Sequence, residues 1–300
     1  MNKRRVIFLS IAAVVTLVIS AVLTAFSQWS EIFIGADLSS IYTECEEYPF
    51  SIFFFNAGSG NSILIHSDSA DILVDSGLER VQSNVLEYLE ILEIDSLDLL
   101  VLTHPDKDHI GNMADVAENI EIKRFVTCEN GSYELTDLYN DLIETLKNKE
   151  VSIGYAKAGD KFAFGDLTLN VVSPTRVYDE SNNNSIALKV NYKDFSAFLS
   201  GDIEGKAEQD ILQSGVDISA DVLCVAHHGS GSSTTEEFLS EVSPECAVIS
   251  VEQNEYLPNS KVLSRLINYG CTLYRTDKSG SIAVVSTGES YKIITEYKKE

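Results

Sequence analysis

The feature that most restricts what this chain can fold into is a change of character at residue 103. Residues 97–102, Leu-Asp-Leu-Leu-Val-Leu, form a mostly aliphatic run of about the length of one buried parallel strand. The run gives way at once to Thr103-His104-Pro105-Asp106-Lys107-Asp108-His109-Ile110-Gly111, which holds four potential metal ligands within six positions. A strand of this kind delivers ligands at its carboxyl end. No single regular element turns two imidazoles and two carboxylates at this spacing towards one ion, whereas a tight loop fans them towards two neighbouring ions. The mixed nitrogen and oxygen set suits zinc or manganese better than calcium, which prefers oxygen alone. A lone His or Asp after a strand is usually a solvated loop residue, and Asp-Lys-Asp-His by itself is a plausible polar turn. The weight of the metal reading comes from matching residues elsewhere.

Similar strand ends recur. Residues 50–55, 62–66 and 71–74 read as an antiparallel meander, separated by Gly58-Ser59-Gly60 and Ser67-Asp68-Ser69, and the third run ends in Asp75-Ser76-Gly77. Residues 195–199 end in Ser200-Gly201-Asp202, and residues 221–226 run into His227-His228-Gly229-Ser230-Gly231. Alone, Asp75 reads as a helix cap and Asp202 as a turn residue. Yet four of the five histidines directly follow apolar strands. The fifth, His66, lies inside a strand pattern with no carboxylate cluster beside it and reads as structural.

Helical spacing of Val81, Val85, Tyr88, Leu89 and Leu92 predicts a helix over 81–92, with a short helix at 110–120 and an amphipathic one at 135–147. Strands are expected at 122–126, 151–155, 161–164, 167–172 and 186–192. Residues 247–251, 261–268, 272–275 and 281–285 continue as strand, helix, strand, strand. This alternation implies the α/β class, with sheet covered by helices in two rough halves.

A chain of 300 residues that is 44% hydrophobic can bury the core of one large domain or two small ones. Its formal charge of −24 repels phosphate polymers at long range and disfavours a nucleic-acid partner, although bound cations offset that locally. The amino terminus has a different character. Asn2-Lys3-Arg4-Arg5 precedes about 21 uncharged residues (6–26), enough for a helix to cross the roughly 30 Å hydrocarbon layer. The positive-inside rule then puts the amino terminus in the cytoplasm and the remainder outside. The run is longer than a signal peptide needs, so a single-pass cell-membrane anchor is preferred over a cleaved, secreted form. The expected organisation is an anchor at 1–27, a spacer at 28–47 and one α/β domain at 48–300. Cys45, Cys128, Cys224, Cys246 and Cys271 show no paired CxxC spacing, so no structural zinc knuckle is expected; the last four read as small buried thiols.

His104-x-Asp106-x-Asp108-His109 with Gly111, Asn183-Asn184-Ser185, Gly201-Asp202 and His227-His228-Gly229-Ser230 together resemble the metallo-β-lactamase fold family. The similar branch is the one typified by the hydrolase domain of the DNA-uptake channel protein of bacterial competence, in which an Asp replaces the second His of the metal motif. The phosphorylcholine esterases that act on teichoic acid are similar too. The resemblance runs in order over residues 48–296 and implies a four-layer αβ/βα sandwich, here with an N-terminal transmembrane helix, and a site for two divalent ions, zinc or manganese, at one edge. It implies that His104 and Asp106 serve one ion, that Asp108 and His109 serve the other, and that Asp202 bridges them. At least one of His227 and His228 is then a ligand. Asp75, Asn184 and Ser185 support the site, and Asp108 orients the attacking water or takes its proton. The implied activity is metal-dependent hydrolysis of a small-molecule or cell-envelope phosphoester.

The chain departs from the family pattern at Asn56 and Asn61, where acidic residues are usual, at Ser59, where Gln is common, and at Leu257, where a His often precedes Pro. These departures motivate the alternative of a catalytically impaired interaction module of the cell envelope.

Overall fold

Phe50, Ile52 and Phe54 point to one face of strand β1 (Phe50–Phe54) and Phe53 to the other, and all four are buried. Successive side chains of a strand point opposite ways, so an unbroken apolar run needs cover on both faces. The computed structural model, which describes residues 41–79, 85–129 and 136–297, provides that cover.

Strands β2 (Ile63–Ser67) and β3 (Ala70–Val74) extend β1 as the expected antiparallel meander. Two short strands, β4 (Ser96–Leu97) and β6 (Glu121–Ile122), form a separate parallel pair. Between and after them, β5 (Leu99–Leu102), β7 (Arg124–Thr127) and β8 (Ser152–Tyr155) add in parallel to β3. A second sheet begins with antiparallel β9 (Lys161–Phe164), β10 (Leu167–Ser173), β11 (Ala187–Tyr192) and β12 (Phe195–Leu199). It continues in parallel with β13 (Val222–Cys224), β14 (Cys246–Ile249) and β15 (Thr272–Arg275). The chain then returns to the first sheet as β16 (Ile282–Ser286) and β17 (Tyr291–Thr295), giving the order β17-β16-β1-β2-β3-β5-β7-β8.

Helices α1 (Val85–Ile91), α2 (Lys107–Ile110), α3 (Met113–Asn119) and α4 (Asp137–Asn148) lie in the first half, and α5 (Gly205–Ser214), α6 (Glu236–Val242), α7 (Ser260–Tyr269) and α8 (Thr276–Ser279) in the second. Three hydrophobic cores show how these layers stack. The central core joins Ile52 and Val101 of the first sheet to Leu169, Val190 and Val248 of the second. An outer core packs Leu100 and Leu102 against Leu89 of α1, Val116 of α3 and Leu142 of α4. The other outer core packs Phe198 and Leu223 against Ile211 of α5, Phe238 of α6 and Leu266 of α7. Helices, sheet, sheet and helices therefore succeed one another. Leu100 is fully buried, and truncating it to Ala would cost about 2–5 kcal/mol.

The sequence reading names no element at α5, α6 or β17, and local structure departs from it elsewhere too. The segment carrying Asp108 and His109 is not a loop but the single turn α2, because the Asp106 carbonyl accepts the N–H groups of His109 (3.0 Å) and Ile110 (3.1 Å). The single helix expected at 110–120 is broken after Ile110. Gly111 lies so close to the 77–79 backbone that a Cβ there would stand 2.2 Å from the Glu79 nitrogen, and Asn112 turns its amide onto the Ser76 (2.7 Å) and Leu78 (2.8 Å) carbonyls. Residues 41–45, inside the expected spacer, are helical and bury Ile41 and Cys45 in the first outer core. The expected anchor at 1–27 lies outside the described residues; among the described residues no helix is long and apolar enough to cross a membrane. All five cysteines are buried and none forms a disulfide. His66 pairs across the β2–β3 ladder with Asp71, Nδ1 to Oδ1 2.6 Å.

Candidate metal centre

Four strands from two sheets end at one edge of the sandwich. Beyond β3 and β5, which are neighbours in parallel, come Asp75 and Thr103-His104; beyond β12 and β13, also parallel neighbours, come Asp202 and His227-His228. Ligands in parallel sheets gather outside the carboxyl ends of the strands, where loops leave room for polar side chains.

The backbone at this edge is specialised. Asp75, His227 and His228 all have left-handed φ values (59°, 52° and 52°), a conformation that costs a non-glycine residue on the order of 1–3 kcal/mol. Gly201 has φ 55°, and a Cβ on it would stand 2.9 Å from that of Ser185. Gly60 approaches α2 so closely that its Cβ would lie 2.2 Å from the Asp108 carbonyl oxygen. The Ser76 N–H (2.7 Å) and hydroxyl (3.1 Å) both donate to the His109 carbonyl, which ties α2 to the end of β3.

The Asp202 carboxylate is the hub. Its Oδ1 lies 3.3 Å from His109 Nε2, while Oδ2 lies 3.6 Å from His228 Nε2, 3.8 Å from His227 Nε2 and 4.0 Å from His104 Nε2. Asp108 Oδ2 is 3.2 Å from His228 Nε2. Among the described residues, Asp108, His109, Asp202 and His228 each place one donor atom within 4.8 Å of all the others. His104 stands just beyond that group, 3.7 Å from Asp106 Oδ2. Asp106 is at the rim, its side chain 43% exposed, with Oδ1 accepting the Ser181 hydroxyl at 2.8 Å. His227 is also at the rim, with Nδ1 3.3 Å from Glu204 Oε1 and its ring beside the Asn182 amide.

The donor atoms fit a cation. His104 Nε2, His109 Nε2, His228 Nε2 and Asp202 Oδ1 are buried and lack a hydrogen-bond partner, although buried polar atoms are normally satisfied. The opposite ring nitrogens are engaged. His109 Nδ1 donates to Asp75 Oδ2 (2.7 Å), His228 Nδ1 to the Ser250 carbonyl (2.8 Å), and His104 Nδ1 faces the Ser185 and Thr103 hydroxyls, each at 3.2 Å. These partners point each Nε2 inward, so that an imidazole giving up its Nε2 proton to a cation presents its lone pair there, the arrangement that orients imidazole ligands. Asp75 is itself fixed by the Thr103 N–H and hydroxyl, both at 2.8 Å.

The electrostatics point the same way. Burial opposes charge on His109, but Asp202 and Asp75 outweigh it and hold the imidazole well above its ordinary range. Burial likewise opposes charge on Asp202, and His109 and His228 reverse that, holding it well below the carboxylate range. Asp108 is drawn down to about 2, burial notwithstanding, by His228 and His109. His104 is lowered by burial and by His109. The pocket attracts positive charge.

Ser185 touches the group at a second point, where its hydroxyl accepts the Asp202 N–H at 3.0 Å. Asn184 is not at the centre. Its side chain bonds the Tyr178 N–H (2.8 Å) and carbonyl (2.8 Å), shaping the loop before β11. Thr103, Ser181, Glu204 and Ser250 were not anticipated. Thr103 sits next to His104 and Glu204 two residues from Asp202, which was the available signal. Ser250 acts through a backbone carbonyl, to which residue type gives no clue.

Fold and centre together define a hydrolase-like domain with a buried His/Asp group able to hold metal. The sequence profile of the Metallo-beta-lactamase superfamily matches residues 55–253, and the chain belongs to that superfamily. It is 35% identical over 201 residues to ComE operon protein 3 of Bacillus subtilis (strain 168), a match covering 66% of this chain and 26% of that protein. It is 26% identical over 259 residues to Competence protein ComA of Neisseria gonorrhoeae, covering 85% of this chain and 35% of that protein. The chain thus spans far less than two thirds of either relative. Among solved structures, Igni18, a metallo hydrolase from the archaeon Ignicoccus hospitalis KIN4/I, superposes with a TM-score of 0.53 at 15% identity, covering 78% of this chain and 98% of that one, which is a likeness of fold.

Proposed function

We propose that this chain is a metal-dependent hydrolase of phosphoester bonds, tethered to the cell membrane by residues 1–27 with its catalytic domain extracytoplasmic. The observation that carries the hydrolase reading is the convergence of three buried, unpartnered imidazole Nε2 atoms on the Asp202 carboxylate. His109, His228, Asp108 and Asp202 would hold one divalent ion; His104 and Asp106, with Asp202 shared and His227 at the rim, would hold a second. Zinc or manganese suits this donor set. Bound there, such ions lower the pKa of a water towards neutrality and stabilise charge developing on a phosphoryl oxygen.

The protein's own groups supply the rest. Asp75, Ser250 and Ser185 fix the three imidazoles so that their Nε2 atoms face the Asp202 carboxylate. Asp108, with its side chain 32% exposed, orients the attacking water by accepting its hydrogen. Asp202, almost fully buried, supplies negative charge at the centre.

A small or cell-envelope phosphoester fits a chain of charge −24 better than a nucleic acid, whose phosphates that surface repels. The curated relatives carry competence names, and the chain shares only a part of their length, so a nucleic-acid substrate is the competing outcome. The test is a substrate panel on purified protein with added zinc or manganese: a generic phosphodiester, a phosphomonoester, single-stranded DNA and a β-lactam. Turnover of the small phosphodiester, with DNA untouched, is expected. Turnover of DNA alone, or of none of the panel, would overturn the proposed specificity.

A further inference from the structure

Glu208 is a fully buried carboxylate that the proposed chemistry does not use. It lies on α5 between Ala207 and Ile211, which pack in the second outer core, and a carboxylate in such surroundings costs several kcal/mol unless well paired. Its oxygens accept two consecutive backbone N–H groups, Thr234 through Oε1 and Thr235 through Oε2 (2.8 Å). Arg265 of α7 holds the other side of the same strip of backbone, donating through Nη1 to the carbonyls of Ser233 (3.2 Å) and Thr234.

That strip is the far end of the turn that carries His227 and His228. Ser233 closes the turn by donating its hydroxyl to the Ala226 (2.9 Å) and Ser230 (3.0 Å) carbonyls. One helical turn before Glu208, Glu204 accepts the Ser232 hydroxyl at 2.8 Å, and the Gly205 N–H donates to the Ser232 carbonyl at 3.0 Å. Residues four apart share a helix face, so Glu204 and Glu208 grip two points of one loop. The helix, with Glu204 as its N-cap, starts at Gly205, only Ile203 and Glu204 separating it from Asp202. The hub carboxylate and the His228 turn are therefore parts of one clamped unit.

We propose that Glu208, backed by Arg265, is a positioning residue that sets where His228 stands relative to Asp202. Both histidines of that turn sit at left-handed φ, and so does Thr234 (51°), so the loop holds a conformation its sequence does not favour. A buried carboxylate and a half-buried guanidinium, both bonded to the backbone of Ser233-Thr234-Thr235, oppose its relaxation. This rests on the reading of His228 and Asp202 as ligands of one ion.

The test replaces Glu208 by Gln, which keeps size but leaves one loop N–H facing an amide that cannot accept. Manganese affinity is measured by calorimetric titration, and amide exchange of residues 230–235 is followed in metal-free protein. On the order of 10-fold weaker binding is expected, the size usual for partners that hold a ligand in place, together with faster loop exchange. Leu146→Ala, in the outer core of the other sheet, serves as a destabilised control and should bind as wild type. Should Glu208→Gln fail to fold, Arg265→Lys, which loses the planar fork, should weaken binding in the same direction. Wild-type protein that binds no manganese or zinc overturns the ligand reading and this proposal together. Tight binding by wild type with unchanged affinity in the folded variant overturns this proposal alone.

Discussion

His109 Nδ1 lies 2.7 Å from Asp75 Oδ2, with both side chains fully buried, and this contact crosses from the end of β3 to the turn after β5. Replacing Asp75 by Asn removes the carboxylate that fixes the His109 tautomer and presents an amide to one of three donors. The expected result is a 10- to 100-fold loss of metal affinity, on the order typical for such partners, in a protein that remains folded. Metal titration beside circular dichroism checks it. Unchanged affinity would show that Asp75 is only a structural cap.

Gly60 makes no polar contact with any ligand, yet a methyl group there would meet the Asp108 carbonyl at 2.2 Å. Backbone cannot yield as a flexible side chain does, so Gly60→Ala should displace α2. An expected cost of about 1–3 kcal/mol in stability accompanies reduced turnover. Thermal melting and a turnover assay of the same sample would show both effects; wild-type values in both would contradict the close approach.

Much of this organisation is legible in the sequence because it follows from local patterns. Apolar runs ending in His104, Asp202 and His227-His228 are visible without coordinates, and the unbroken apolar runs of β1 and β5 have the length of strands buried on both faces. What stayed hidden depends on contacts between distant segments. Nothing near Gly111 says that residues 77–79 will press against it and break the helix at 110–120. Nothing near His228 says that the Ser250 carbonyl will choose its tautomer. The resemblance implies that both Asn184 and Ser185 support the site, and the short turn over Asn182–Asn184 aims their side chains at different neighbours, Tyr178 and His104.

Away from the centre, Asp217 receives the ammonium of the mostly buried Lys189 at 2.6 Å. That contact and the Ser219 hydroxyl hold the Asp217 carboxyl down at about 2. A carboxyl depressed by folding lends stability at all pH values above its ordinary range and loses it as pH falls towards the folded value. Asp217→Asn should therefore cost about 0.2–1 kcal/mol at neutral pH, modest because the carboxylate is largely exposed, and only a small part of that as pH falls through about 2. Denaturant titrations of both proteins across that interval test this. An equal penalty at both ends would mean that the contact acts without its charge.

The central claim is that imidazoles and carboxylates from both sheets share bound cations that make hydrolysis possible. The most direct measurement is metal content and phosphodiesterase turnover on one preparation, before chelation, after it and after zinc or manganese is restored, beside an Asp202→Ala variant. The account predicts bound metal and turnover that vanish and return together in wild type, and a folded variant that has neither. Turnover that persists in excess chelator, or that survives in Asp202→Ala, would contradict it.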